Sequence, residues 1–364
     1  MEHVMRFAFN EEQEMLRDAI RVALQREAGL DKIRRWVDAA DLSPFDACAV
    51  GNAWVGIGVA EELGGQGGGR VEQALMFEEL GRAVAPSGVL LAGAGGALGF
   101  AVRLPGGAEF LREVLDGEGT GVLCVPAGRP ADEGALQVQV AGGRLSGVIP
   151  MVLEAPGASH LLVPLPSGDG LDLWLVPDGG SDVDIKPRRM IDRTRRFGDV
   201  RLQQAKGIRI GRLDRGAAQD ANAVIALLVA AESLGLARRM LDMTVEYVGQ
   251  RVQFGVPVAS FQAVKHAAAE ALVDIEAAHS GVYYAAWALQ EGQADGVLHA
   301  WIAKAFATEA AVRTADRALL LHGAIGYTWE HDLQLFYKRA KLNLELFGSP
   351  RSYRERMAEV LALH

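Results

Sequence analysis

The chain is short of the features that mark several functional classes. It has two cysteines, Cys48 and Cys124, far apart and with no Cys-x-x-Cys spacing, so neither a disulfide framework nor a cysteine zinc site is indicated. They read as small buried apolar groups. His160, His266, His322 and His331 show no metal-ligand spacing, and the Trp-Glu-His-Asp run at 329–332 is not a zincin pattern. No uncharged apolar run reaches the roughly 18 residues of a membrane span. Residues 1–21, MEHVMRFAFNEEQEMLRDAIR, lack the apolar core of a signal peptide, so a cytoplasmic protein is expected. Basic residues are in deficit, 37 Lys and Arg against 46 Asp and Glu for a formal charge of −9, which argues against a general nucleic-acid binder. The glycine-rich GGQGGG at 64–69 has neither the Lys-Ser/Thr of a P-loop nor a strand–helix setting, so it is a loop and not a phosphate cradle.

What the chain does have is length and apolar content. Its 364 residues, half of them hydrophobic, are too many for one ordinary core, and two or three domains are expected. The first third is helical in pattern. Met15, Leu16, Ile20, Val22, Ala23 and Leu24 recur at helical spacing after Asn10, a candidate N-cap followed by acids. A second helix is expected over 70–85, ended by Pro86.

From about Gly119 the texture becomes short Val- and Leu-rich runs broken by Gly and Pro, the pattern of a small antiparallel β region. From about Arg215 it is helical again, over 215–248, 259–291, 294–321, 331–346 and 350–362. Such long helices with short connections suggest an antiparallel four-helix bundle. The expected fold is mixed α and β, mainly α: an N-terminal helical domain (1–118), a middle β domain (119–213) and a C-terminal helical bundle (214–364).

Three segments carry chemistry. In TVEYVGQRVQFGVPVASFQAVKH, residues 244–266, Arg251 offers a fixed fork of donors suited to a pyrophosphate oxygen, Phe254 a flat face, Gly255 and Pro257 a turn, and Gln262 an amide at a helix start. Phe, Gly and Pro are common between bundle helices, so each residue alone says little; the spaced set says more. In LLLHGAIGYTWEHDLQLFYKRAK, residues 319–341, Gly323 and Gly326 let backbone N–H groups approach a phosphate or an adenine edge. Residues 58–82 add a loop followed by a helix.

With the α-β-α order and the length, these segments resemble the acyl-CoA dehydrogenase superfamily over nearly the whole chain. The resemblance implies α,β-dehydrogenation of an acyl-CoA thioester with FAD as cofactor. A carboxylate removes the α-proton and a hydride leaves the β-carbon. It implies that Arg251, Phe254, Gly255, Phe261, Gln262, Gly323 and Gly326 reach the adenine side of an FAD held by a neighbouring subunit, and hence an oligomer. Leu320 and Ala324 depart from the family's Gln and Gly in the second segment. An acyl-CoA substrate, a homologous subunit and an electron-transferring flavoprotein are the implied partners.

The family places its base at one of two positions, which here hold Phe347 and Ile225, neither able to take a proton. Glu232, two helical turns beyond Ile225, and Glu345 are the nearby carboxylates; the plainer readings are a paired structural acid and a solvated surface acid. Met151 and Leu153 stand where the family sets an aromatic and a Thr against the flavin ring, and LCVPAGRPADEG at 123–134 replaces its Thr-Glu-Pro-like loop. Residues for the adenine side are present and those for the ring are missing. The chain therefore looks like the subunit of a heteromer that completes a partner's FAD site. A homo-oligomeric dehydrogenase using Glu232, and a helical scaffold without flavin, are the alternatives.

Overall fold

The computed structural model describes residues 8–177 and 180–362. Residues 1–7, on which part of the leader reading rests, and 363–364, the end of the expected bundle, lie outside the described residues. The chain opens with α1 (Glu11–Glu27), α2 (Leu30–Ala39), α3 (Ser43–Gly51) and α4 (Arg70–Arg82). Asn10 caps α1 in a reciprocal box: its Oδ1 accepts from the Gln13 N–H at 2.8 Å and its own N–H donates to the Gln13 Oε1 at 3.1 Å. Ile20, Ala23 and Leu24 face the core, but Met15 and Val22 are 65% and 60% exposed, a correction to the expected stripe. These two are seven residues apart and share the opposite face.

Residues 88–101 form one helical stretch, α5, whose centre Leu91–Leu98 is π-helical. After α6 (Ala108–Leu115) come eight strands: β1 (Gly121–Leu123), β2 (Val138–Ala141), β3 (Arg144–Leu153), β4 (His160–Ser167), β5 (Gly170–Pro177), β6 (Val183–Arg188), β7 (Phe197–Lys206) and β8 (Ile208–Leu213). They form two four-stranded sheets in the orders β1-β4-β5-β8 and β2-β3-β7-β6. Every pair in them is antiparallel except β1–β4, which is parallel because the β2–β3 hairpin of the other sheet intervenes.

The last part is α7 (Arg215–Gln250), α8 (Gln262–Gln290), α9 (Gly296–His322), α10 (Leu333–Glu345) and α11 (Pro350–Val360), each starting and ending within a few residues of the sequence expectation. Asp214 caps α7 by accepting from the Ala217 N–H at 2.8 Å. The crossing of α4 on α7 is close because it pairs Gly81 with Gly235: a Cβ on either would overlap a backbone carbonyl of the other helix. This closeness brings Glu232 of α7 beside Ser87, just before α5. Among the described residues no helix is long and apolar enough to cross a membrane, and no cluster of three His, Cys, Asp or Glu could hold a metal.

Candidate functional site

Two regions hold the residues that the sequence singles out. The first is a surface rim. Helix α7 stops at Gln250, and Arg251 leaves it in extended conformation (φ −70°, ψ 120°). A tight hairpin follows, Val252–Gln253 paired with Val256–Pro257, and its turn residues Phe254 and Gly255 have φ +55° and +80°. A two-residue turn of this kind needs positive φ at both positions; Gly255 accepts that freely, whereas for Phe254 it costs about 1–2 kcal/mol. The strain buys presentation: Phe254 is 94% exposed at the tip, its ring edge-on to Phe261 at 6.2 Å. Gln262 begins α8 and is exposed, as is Arg251, which has no ion-pair partner among the described residues.

The second motif lies against the first. Tyr247, one turn before Arg251, stacks on His322 with ring centroids 4.5 Å apart. Gly323 ends α9 at φ +64°, and the short turn Gly323–Tyr327 follows, with Gly326 buried beneath it. Arg34 of α2 pins the next turn by donating to the Trp329 and Glu330 carbonyls, both at 2.8 Å. The rim therefore shows Phe254, Phe261, Leu320, Ile325, Tyr327 and Trp329 to solvent. Large side chains gathered in this way mark a contact surface.

The second region is buried. Glu232 has no exposure, and both its oxygens are engaged. Oε1 accepts from Ser87 Oγ and, at 2.7 Å, from Arg339; Oε2 accepts from Arg195 and, at 2.8 Å, from the Asn343 amide. Arg339, also without exposure, donates onward to Asp192 at 2.7 Å and to the Ala85 carbonyl at 3.1 Å. Burial pushes the Glu232 carboxyl up, but the Arg195 and Arg339 guanidiniums and the Ser87 and Asn343 hydrogen bonds outweigh it and hold the pKa down to about 2. A carboxylate with every acceptor position occupied and so low a pKa is not a general base. Glu232, the weak candidate base, has here the partners of the paired structural acid that was its plainer reading. The sequence did not reveal Asp192, Arg195 and Arg339 as its company. Their segments, IDRTRR at 191–196 and YKRAK at 337–341, are rich in charge, so no single residue there stands out.

The two positions that the resemblance assigns to the base are both in the core: Ile225 has no exposure and Phe347 has 1%. Glu345 is exposed, on the other side of α10. The segment around Phe347 is held in an unusual conformation, φ +54° at Phe347 and +110° at Gly348. The Phe347 N–H donates to the Ala127 carbonyl at 2.6 Å, and the Tyr353 hydroxyl donates to the Phe347 carbonyl at 2.8 Å. Buried Lys304 of α9 caps the end of α10, donating to the carbonyls of Asn343 at 3.0 Å, Leu344 at 3.3 Å and Gly348 at 3.1 Å. The Ala127 N–H donates to the Met151 carbonyl at 3.1 Å, and Leu153 is buried. Thus the three stretches that depart from the family, at 127, 151 and 347, meet in one hydrogen-bonded chain.

Comparison with known proteins follows the same outline. The family model for the acyl-CoA dehydrogenase C-terminal domain matches residues 216–362, and that for the N-terminal domain matches residues 10–117. Acyl-CoA dehydrogenase IpdE2 of Mycolicibacterium smegmatis is 30% identical, with 96% of this chain and 99% of the relative covered. The structure named Tcur3481-Tcur3483 steroid ACAD superposes with a TM-score of 0.86 at 26% identity, covering 97% of this chain and 98% of that one. The ChsE4-ChsE5 complex from Mycobacterium tuberculosis shares the fold, with a TM-score of 0.87 at 24% identity and coverage of 99% and 100%.

Proposed function

The chain belongs to the acyl-CoA dehydrogenase family of FAD-dependent oxidoreductases, and from that premise we propose that it is the subunit lacking the base in a hetero-oligomeric member. Its role is to complete the FAD site of a homologous, base-bearing partner. The observation that carries this reading is the state of the acids: both base positions are buried and apolar, and Glu232 is locked between two guanidiniums.

The rim supports it from the other side. Among the described residues Arg251 has no ion-pair partner and Phe254 meets only the edge of Phe261, and their types suit a pyrophosphate oxygen and a flat ring on a neighbour. Gly323 leaves backbone accessible beside them. When bound, FAD supplies the hydride acceptor; this chain's residues would hold its adenine side. Two of the similar structures carry the names of two chains, Tcur3481-Tcur3483 and ChsE4-ChsE5, which agrees with a mixed assembly. The steroid in the first of these names makes a sterol-derived acyl-CoA the first substrate to try. An electron-transferring flavoprotein as acceptor, the cytoplasm as location, and folding units at 1–118, 119–213 and 214–364 complete the reading.

The test is turnover. The purified chain, given acyl-CoA and an artificial electron acceptor, is expected to produce no enoyl-CoA, and activity is expected to appear when a glutamate-bearing subunit of the family is co-purified with it. Robust turnover by the chain alone contradicts the proposal.

A further inference from the structure

A small cavity of about 160 Å³ lies where the N-terminal helices meet the bundle, and it shares no residue with the rim or with the Glu232 network. Its wall is drawn from four places. Arg70 opens α4, Arg103 follows α5, Asp220 and Val224 belong to α7, and Gln293 and Val297 come from the turn after α8 and the first turn of α9. At ~30 Å³ of liquid volume per water, the space holds about five waters. That is too little for a nucleotide or an acyl chain and enough for a small ion.

Charge decides which kind of ion. Two guanidiniums, Arg70 and Arg103, stand against one carboxylate, Asp220, to which Arg103 donates at 3.1 Å. Among the described residues Arg70 has no carboxylate partner; its Nη1 donates to the Gln73 amide oxygen, a neutral acceptor, at 2.7 Å. Burial, and after it the Arg103 guanidinium, push the Arg70 pKa down to about 10, as befits a cation short of counter-charge. Both guanidiniums stay charged at neutral pH, so one positive charge is left over. The start of α9 adds to it. This helix runs for 27 residues, and Asp295 at its N-cap makes no capping hydrogen bond, its carboxylate lying 3.2 Å from the His299 ring. The positive end of the helix dipole is therefore uncapped beside the cavity, with Val297 of the first turn on the wall. Two guanidiniums and a helix start converging on one small space are the donors that a tetrahedral oxyanion takes.

We propose that this cavity binds a small dianionic oxyanion of the phosphate class, held by Arg70, Arg103 and the start of α9, and that the ion ties α4 and the end of α5 to α7 and α9. The site is independent of the flavin and of the partner subunit.

The probe is inorganic phosphate at about pH 8, where it is doubly charged. The readout is the unfolding midpoint of the full chain, titrated at constant ionic strength with chloride as the balancing ion. Phosphate should raise the midpoint in a saturable way, because an ion that binds only the folded chain stabilises it; a response no greater than that of chloride overturns the site. Arg70→Gln should weaken the apparent affinity by about tenfold or more, the weight of one charge-assisted hydrogen bond. Asp220→Asn removes the competing carboxylate and should tighten it by about fivefold. An unchanged response in Arg70→Gln, or a weaker one in Asp220→Asn, overturns the proposal. Should Arg70→Gln not fold, Asp220→Asn decides, since the ion pair it breaks is part-exposed and contributes little to stability. Arg251→Ala is the control for phosphate on the rim: the response should survive, and its loss would place the ion there and overturn the site. Acetate, with similar oxygen acceptors but a single charge, should bind more weakly than phosphate; equal or tighter binding overturns the assignment to a dianion.

Discussion

Arg339 and Arg251 are the same side chain at two extremes. Arg339 is wholly enclosed and donates to Asp192, Glu232, Thr194 and the Ala85 carbonyl, joining α10, α7, the turn before β7 and the approach to α5. Arg251 stands at the end of α7, exposed and with no ion-pair partner among the described residues. The contrast extends to their neighbours: Phe347 is sealed in the core, and Phe254 projects from a strained turn with 94% of its surface free. Where a charge has taken up all its partners, it is architecture. Where, among the described residues, a charge has no ion-pair partner and a ring is presented at a cost in backbone strain, the proposed use lies on another surface.

The comparison breaks most visibly at the buried end. Arg339→Ala leaves Glu232 and Asp192 with lost partners in the core and is expected to cost roughly 3–5 kcal/mol, read as the denaturant midpoint of the chain. A loss below about 1 kcal/mol would show that the network is not holding the elements together. Phe347→Glu restores the family's base in sequence but sets an unpaired carboxylate in a closed space. A loss on the order of 3 kcal/mol and no gain of dehydrogenation are expected; new turnover with acyl-CoA would contradict the role proposed for this chain.

The pH dependence is subtler. Glu232 is held at about 2 against its ordinary 4.5, so its contribution to stability is fully present above about pH 4.5 and is lost as pH falls toward 2. Unfolding free energies measured between pH 6 and 2 should fall over that interval, and the fall should be shallower in Glu232→Gln relative to that variant's own value at pH 6. At the exposed end the expected effect on stability is smallest. Phe254→Ala and Arg251→Ala should each leave the chain's melting within about 0.5 kcal/mol of the parent. A larger loss would mean that the rim is part of this chain's own structure.

Much of this was readable in the sequence, and for identifiable reasons. Asn10 and Gln13 announce their capping box locally, and the α7 to α11 boundaries follow from runs of helix formers and the Gly and Pro between them. Phe347 and Ile225 are informative as single letters, because neither can accept a proton. What the sequence withheld is long-range. Glu232 lies 37 residues from Arg195 and 107 from Arg339, and no local pattern pairs them. Periodicity could not tell that Met15 and Val22 face outward, since both are apolar and only packing separates the faces. The parallel β1–β4 pair depends on an excursion through another sheet. The contact of Ala127 with Phe347 is of the same kind: the two are joined by backbone atoms, which carry no letter.

The most direct test of the central claim is the flavin content of the assembly when the rim of this chain alone is changed. The assembly with a glutamate-bearing partner is purified with the parent chain and with the Arg251→Ala, Phe254→Ala double variant, and FAD per assembly is measured after equal dialysis. The double variant is expected to lose most of the FAD while this chain's melting is unchanged. Full retention of FAD by the double variant would contradict it.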